Sequence, residues 1–415
     1  MGTVKNSFRR LSVRILLFGG LGFIGVNLAE ALLGHELYVA HRPGAREKKR
    51  DLADFASRYA SLLEYREPGE ALKAARPDVL INLVGEYFGD PQTLWEANAE
   101  FPRRLCEAAR RLGWRGKVIH FSAATVRGPV GDVITEEPRH LEGIQPASDF
   151  DRSKAAGEET VAKCFDDWVI VRPTLVYGRF NNHPEWVALT KMVSRGFAPM
   201  VGAKVSAISV KELARAVRAA LPLSREYFFA TECRPRPLSD FVKAIAKALG
   251  ARAVPVPVPK ALLKAAAPKD LKKHMPFLDK AFSCEKMRRL LGFVPEPRFE
   301  EEVAEMALYI ASKFKKKYVV YFMYPPVVFI FRDCPPPHLM ALAEWGFSVT
   351  SLSRCPGVEH VADVRSYIEG KFVIIVGDKE LAEELRVGHA TVAEAEEFLR
   401  WLSKEVPPVY KPYIH

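Results

Sequence analysis

The sequence predicts an α/β chain: a doubly wound parallel sheet with a small C-terminal lobe, plus an additional small α/β domain. Three observations carry this. Residues 13–18 form a short apolar run without polar alternation, the pattern of a strand buried on both faces. That run leads straight into Gly19-x-x-Gly22-x-x-Gly25 and then into the helically spaced stretch 26–33. Further along, apolar strand-like runs alternate with helical segments, as right-handed crossovers between parallel strands require.

The glycine turn comes first in the chain. In such a turn one glycine permits a tight bend, one lets the main chain approach a pyrophosphate, and one lets helix pack close on strand. The helix then points its free N–H groups at the phosphates. A nicotinamide dinucleotide is therefore the expected ligand. Residues 36–40 read as the next strand. About 20 residues beyond the glycines, where many NAD sites place a carboxylate for the ribose, stand His41 and Arg42. A guanidinium suits a 2′-phosphate, so NADP(H) is favoured over NAD(H), with Lys48, Lys49 and Arg50 close in sequence.

Residues 51–63 carry apolar side chains at Leu52, Phe55, Tyr59 and Leu62 and are expected to form an amphipathic helix. Residues 77–85 read as a buried strand ending at Gly85, and 94–112 as one long helix containing Asn98. Strands follow at 117–121 and 168–171.

At this point the chain resembles the extended short-chain dehydrogenases/reductases, the superfamily of NAD-dependent epimerases and dehydratases, over residues 13–314. The resemblance rests on Gly19 to Gly25, on Asp78-Val79-Leu80-Ile81-Asn82-Leu83-Val84-Gly85, and on Asn98. It rests also on Ser122 to Gly128, on Phe150 to Lys154 with Glu158, and on Val171-Arg172-Pro173-Thr174-Leu175-Val176-Tyr177-Gly178. It implies a Rossmann sheet with cofactor contacts at Gly19, Gly22, Phe23, Ile24, Gly25, Arg42, Leu83, Val84, Gly85, Asn98, Ser122, Lys154, Pro173, Leu175 and Val176.

The same resemblance exposes a departure. The family's chemistry uses a tyrosine to move a proton while hydride moves at the nicotinamide. A lysine four residues later holds the ribose and lowers the phenol's pKa. Here Lys154 is present, but Phe150 stands at the tyrosine and Ala123 at the serine. Ser122 and Thr125 are the hydroxyls left nearby, so Lys154, Thr125 and Ser122 are the candidate catalytic residues. Asp149 and Asp151 flank Phe150; a buried carboxyl could serve as an acid, whereas Asp149 is read as a helix cap. Tyr177, after the sixth strand, is a further candidate, since the resemblance puts it in a motif that lines the pocket; simple packing is the alternative. Two functions follow: a protein that holds NADP(H) with low or no redox turnover, or an active epimerase, dehydratase or reductase using non-standard acid–base residues.

Residues 174–316 form the expected substrate lobe of a domain spanning 1–316. They are compact, with a short strand at 205–208, helices at 210–220 and 240–249 (the latter capped by Ser239), an extended 255–259 and a closing helix at 299–314. Arg179, Asn181 and Asn182 are its polar candidates. The short crossover and the Leu291-Gly292-Phe293-Val294-Pro295 segment resemble the branch containing the NADPH-binding accessory subunit of respiratory complex I.

Residues 317–415 are foreign to that family. Strands are expected at 318–324, 327–331, 347–352 and 372–378, and helices at 338–345, 380–386 and 391–402. With no glycine triplet, this domain is read as accessory: it either serves a homodimer or a protein partner, or simply packs against the first domain. His338, His360 and His389 lack ligand spacing, so no metal is expected.

Composition limits the rest. The six cysteines are scattered singly, which argues against a zinc ribbon or redox dithiol, and most are read as small buried apolar residues. The net charge of +11 is spread over many helices without interleaved aromatics, which argues against nucleic acid. No apolar run is long enough for a membrane span, and residues 1–14 do not form a signal peptide, so a cytoplasmic location is expected. Scarce glutamine beside abundant Arg, Lys and Glu hints at a thermophile.

Overall fold

The computed structural model describes residues 12–266, 269–314, 327–345, 347–368 and 371–405. The expected strand at 318–324 lies outside the described residues. The chain divides into two compact units. The first comprises Met1–Asn181, Pro199–Phe241 and Pro255–Glu302; the second comprises Asn182–Ala198, Val242–Val254 and Val303–His415.

A seven-stranded sheet organises the first unit: β1 (Arg14–Phe18), β2 (Glu36–His41), β3 (Ser61–Glu64), β4 (Val79–Asn82), β5 (Lys117–Phe121), β6 (Trp168–Pro173) and β7 (Glu226–Ala230). All its pairings are parallel, in the order β7-β6-β5-β4-β1-β2-β3. The order reverses between β1 and β4, and ligands of such sheets bind outside the carboxyl ends at that point. The helices used below are α1 (Phe23–Ala31), α2 (Arg50–Ala56), α3 (Pro91–Trp95), α4 (Phe101–Arg111) and α5 (Asp149–Cys164). Ile15, Leu16, Leu17 and Phe18 are all fully buried, which explains why β1 carries no polar alternation.

Two expected helices are redrawn. The helix expected over 51–63 stops with α2 at Ala56, and residues 61–64 instead pair with β2 as an edge strand. The apolar spacing 52, 55, 59, 62 fits a helix, but Leu62 and Leu63 gain a strand partner in Val39 and Ala40. The long helix over 94–112 is broken into α3, a π-turn at Glu96–Glu100 and α4. Pro102, which has no N–H, sits in the first turn of α4, and the wider turn before it carries Asn98. Ser239 lies inside the helix Leu238–Ala248 rather than ahead of it.

The cysteine expectation is overturned. All six are paired, as Cys106–Cys164, Cys233–Cys284 and Cys334–Cys355. The first joins α4 to the end of α5. Sequence separations of 58, 51 and 21 residues hide the pairing from any reading of local spacing.

The second unit has its own all-parallel sheet: β8 (Val327–Phe331), β9 (Ser348–Ser351), β10 (Glu359–His360), β11 (Phe372–Val376) and β12 (Gly388–Ala390), in the order β10-β9-β8-β11-β12. Val328, Ile330, Val373 and Ile375 form its core with Ala382.

Each crosslink shortens the loops open to the unfolded chain. Replacing Cys106 and Cys164 with serine, which opens a 58-residue loop, should cost about 4 kcal/mol of stability in denaturant unfolding. Native protein should show no reactive thiol on labelling.

Candidate functional site

The site is built at the carboxyl ends of β1, β4 and β5. Gly19 turns the chain at φ +75°, and the Gly22 N–H donates to its carbonyl at 3.0 Å. A Cβ on Gly25 would fall under 3 Å from the Gly20 backbone, so only glycine lets α1 start this close to β1. The N-cap of α1 is Gly22, which has no side chain to cap the helix, and the first turn holds no acidic residue. Its N–H groups thus face the turn as an anion site.

The β4 loop closes on the same turn. The Val84 N–H donates to Asn82 Oδ1 (3.1 Å), and Asn82 Nδ2 meets His120 Nδ1 at 3.1 Å. Asn98 reaches from the π-turn to hold the next peptide from both sides: it accepts from Glu86 N (3.0 Å) and donates to Glu86 O (2.9 Å). It also donates to Ser153 Oγ on α5 (3.0 Å). Gly85 has no room for a Cβ, because the Lys154 ammonium and Asn98 Oδ1 stand under 3 Å from where it would be.

Lys154 is 7% exposed and donates to the Phe121 carbonyl at the end of β5 (3.2 Å). Burial pushes its pKa down to about 8, against the attraction of Glu158 and Glu86. One turn further along α5, Glu158 is anchored to Arg172 of β6, which donates to both its oxygens (2.8 and 2.6 Å) and to both of Glu137 (2.9 and 2.8 Å). Burial alone would raise the Glu158 carboxyl, but the Arg172 guanidinium and His140 bring it down to about 2. This buried ion cluster fixes α5 on the sheet, and with it the position of Lys154.

One turn before Lys154 on the same helix face lies Phe150. Its ring packs with Ala123, Leu94 and Tyr87. Ser122 Oγ, at the end of β5, is buried and has no hydrogen-bond partner among the described residues. Thr125 donates to Asp151 Oδ1 (2.5 Å), and Ser148 Oγ donates to Asp151 Oδ2 (2.7 Å). Asp151 is 1% exposed, and burial raises its pKa despite these bonds. The cap expected at Asp149 is Ser148, whose Oγ accepts from Asp151 N; Asp149 instead pairs with Arg152 at the surface.

The other candidates scatter. Tyr177 is fully buried and donates to Glu232 (2.7 Å). Arg179 does not project toward a ligand: its Nε donates to Asn27 Oδ1 in α1 (2.5 Å), and it pairs with Glu30. Asn181 donates to Val176 O (3.0 Å). Arg42 is exposed just after β2, and its charge acts on Lys49, whose pKa is lowered by burial, with Glu86 opposing and Arg42 adding to the fall. Sequence reasoning missed Lys273 and His274, which stack against Tyr87 and Phe150 from more than 120 residues away and carry no motif.

A dinucleotide fits this chemistry. The uncapped helix start and glycine turn suit a diphosphate, and Lys154 and the orphaned Ser122 hydroxyl suit a ribose. Fold and site together define a nucleotide-binding protein of the doubly wound class. The sequence model of the NAD dependent epimerase/dehydratase family matches residues 15–222, just over half of the chain. The chain belongs to that family, whose cofactor is a nicotinamide dinucleotide. Among solved structures, UDP-glucuronic acid 4-epimerase from Bacillus cereus in complex with NAD is similar at 19% identity and TM-score 0.58, covering 72% of this chain and 99% of that one. The Bordetella bronchiseptica enzyme WbmH in complex with NAD+ follows at 18% and 0.57, covering 72% and 98%. A UDP-galactose 4-epimerase is similar at 22% and 0.55, covering 72% and 99%. These likenesses speak to the fold. No curated protein matches the sequence. Among the described residues no helix is long and apolar enough to cross a membrane.

Folded Lys154 loses its proton near 8 rather than near the ordinary 10.5, so between those values the unfolded chain binds more protons and stability rises with pH. Lys154→Met should remove that contribution: the variant is more stable than the parent below pH 8, and the gap closes by pH 10.5. Urea midpoints of both proteins across this range check it.

Proposed function

We propose that the chain binds NADP(H) in preference to NAD(H) and holds it with little or no turnover by the family's usual route. The observation that supports this is Phe150, the residue the family resemblance aligns with the tyrosine, whose ring packs against Ala123 and has no proton to offer. Losing one general acid costs roughly 10²–10⁴ in rate. Lys154, by contrast, keeps its place, as a ribose anchor would. The preference for the 2′-phosphate rests on Arg42, exposed after β2 with Lys49 in its field.

A second reading draws on the Thr125–Asp151 bond. A buried carboxyl with a raised pKa, joined at 2.5 Å to a half-buried hydroxyl, suits the acid–base role in slow oxidoreductase chemistry. Asp151→Asn would abolish such turnover and leave nucleotide binding intact.

Residues 317–415 are assigned an accessory role in self-association or partner binding, with sedimentation of the full chain as the readout. We infer a cytoplasmic location in a heat-adapted cell, the setting in which intracellular proteins keep disulfides such as these three; elsewhere such bonds belong to oxidising compartments.

Mass spectrometry of the nucleotide retained after purification should find NADP(H). In titrations, Arg42→Ala should weaken NADPH by about tenfold and leave NADH unchanged. Equal or tighter binding of NADH by the parent protein would defeat the preference. Ordinary enzyme rates in a broad substrate screen would defeat the holding function.

A further inference from the structure

Lys273 lies far from every motif in the chain, yet its ammonium sits inside a group of aromatic rings at the site. It stands 4.3 Å from the centre of the Tyr87 ring, 4.7 Å from Phe150 and 5.8 Å from Phe88, and it donates to the Tyr87 carbonyl. Its neighbour His274 stacks on Tyr87, 4.9 Å apart and 9° from parallel, and approaches the edge of Phe150 at 6.1 Å. His274 Nε2 is buried with no hydrogen-bond partner among the described residues. Burial and the Lys273 charge bring its pKa down to about 3, so the ring is neutral at physiological pH. The Lys273 charge also reaches Asp151, the carboxyl bonded to Thr125.

The location of this cluster gives it meaning. Tyr87 follows the β4 loop, Ala123 follows β5, and Phe150 is one turn from Lys154 on the same face of α5. The cluster therefore stands at the carboxyl ends of the strands, on the side where a second substrate must approach a bound dinucleotide. A cation seated on several rings and partly shielded from water is held more firmly than one on the surface.

We propose that Lys273 is a specificity-determining residue that shuts the reactive end of the dinucleotide pocket: its ammonium fills the Tyr87–Phe88–Phe150 cage that a second substrate would have to enter. A bound reduced nucleotide is then retained and shielded from hydride acceptors. This rests on the dinucleotide reading above and explains how holding is achieved once the phenol is gone. His274 serves the same closure by stacking on Tyr87.

The test uses the full chain loaded with NADPH, with binding first established by fluorescence titration. The complex is then challenged with phenazine methosulfate, whose phenazinium ring takes the hydride from NADPH to give NADP+ and the neutral dihydrophenazine. Loss of NADPH absorbance is followed. Bound NADPH in the parent protein should be oxidised at least about tenfold more slowly than free NADPH. Lys273→Ala should restore oxidation to nearly the free rate, while Lys273→Arg, whose guanidinium also stacks on rings, keeps the protection. Matching unfolding midpoints exclude a folding defect in the variants. Oxidation of the parent complex at the free rate, or full protection in Lys273→Ala, would overturn the proposal. Failure of NADPH to bind at all would overturn the dinucleotide reading instead, and this inference with it.

Discussion

The constraint on which the site depends is the burial of one ammonium group. Lys154 has been taken out of water at the end of β5, where it meets the Phe121 carbonyl. An ammonium in such a place is costly unless its surroundings are fixed, and the neighbouring elements do fix them. The α5 helix is tied to the sheet through Glu158 and Arg172, and to the π-turn through Ser153 and Asn98. Asn98 in turn grips the peptide at Glu86, which sets the course of the β4 loop past Gly85. Helix, π-turn and loop thus share one arrangement around the amine, and the Cys106–Cys164 bond secures α4 to the far end of α5. A protein that only needed a stable sheet would place an apolar residue at 154. Retaining the lysine makes sense if a ligand hydroxyl completes its coordination, and the oxygen of Ser122, next in sequence to Phe121 and without a partner among the described residues, makes the same demand.

What was legible in the sequence follows from the range of the interactions involved. The glycine turn could be read because strand, turn and helix onset are contiguous, and each glycine answers a local steric need. The strands of the first sheet could be read because burial on both faces leaves unbroken apolar runs. By contrast, residues 59–63 carry a spacing compatible with either helix or strand, and only pairing with β2 decides between them. The π-turn depends on how Asn98 meets Glu86 and Ser153, contacts 12 and 55 residues apart. Ser148 and Asp149 are both good capping residues, so the sequence offers two candidates where the backbone uses one. Arg179 was visible as a polar residue beyond Gly178 but not as the partner of Asn27, 152 positions away. The disulfides and Lys273 belong to the same class: partners set by the tertiary fold leave no periodic trace.

The second sheet shows how little of function resides in topology alone. Its strand order around β8 and β11 reverses just as the first sheet does around β1 and β4, so both present a crevice at the carboxyl ends. Their loops differ in the one property that a phosphate requires, namely free backbone N–H groups. After β1 the chain supplies glycines and an uncapped helix. After β8 it supplies Pro335, Pro336 and Pro337, none of which has an N–H to give. After β11 the N–H of Leu381 is already taken by the Asp378 carboxylate, which also pairs with Arg332 across the point of reversal (3.2 Å). An anion approaching there would meet a carboxylate and spent donors. The same arrangement of strands therefore ends in a glycine turn suited to a diphosphate in one unit and in a packed, crosslinked edge in the other, and the difference lies in the few residues that follow each strand.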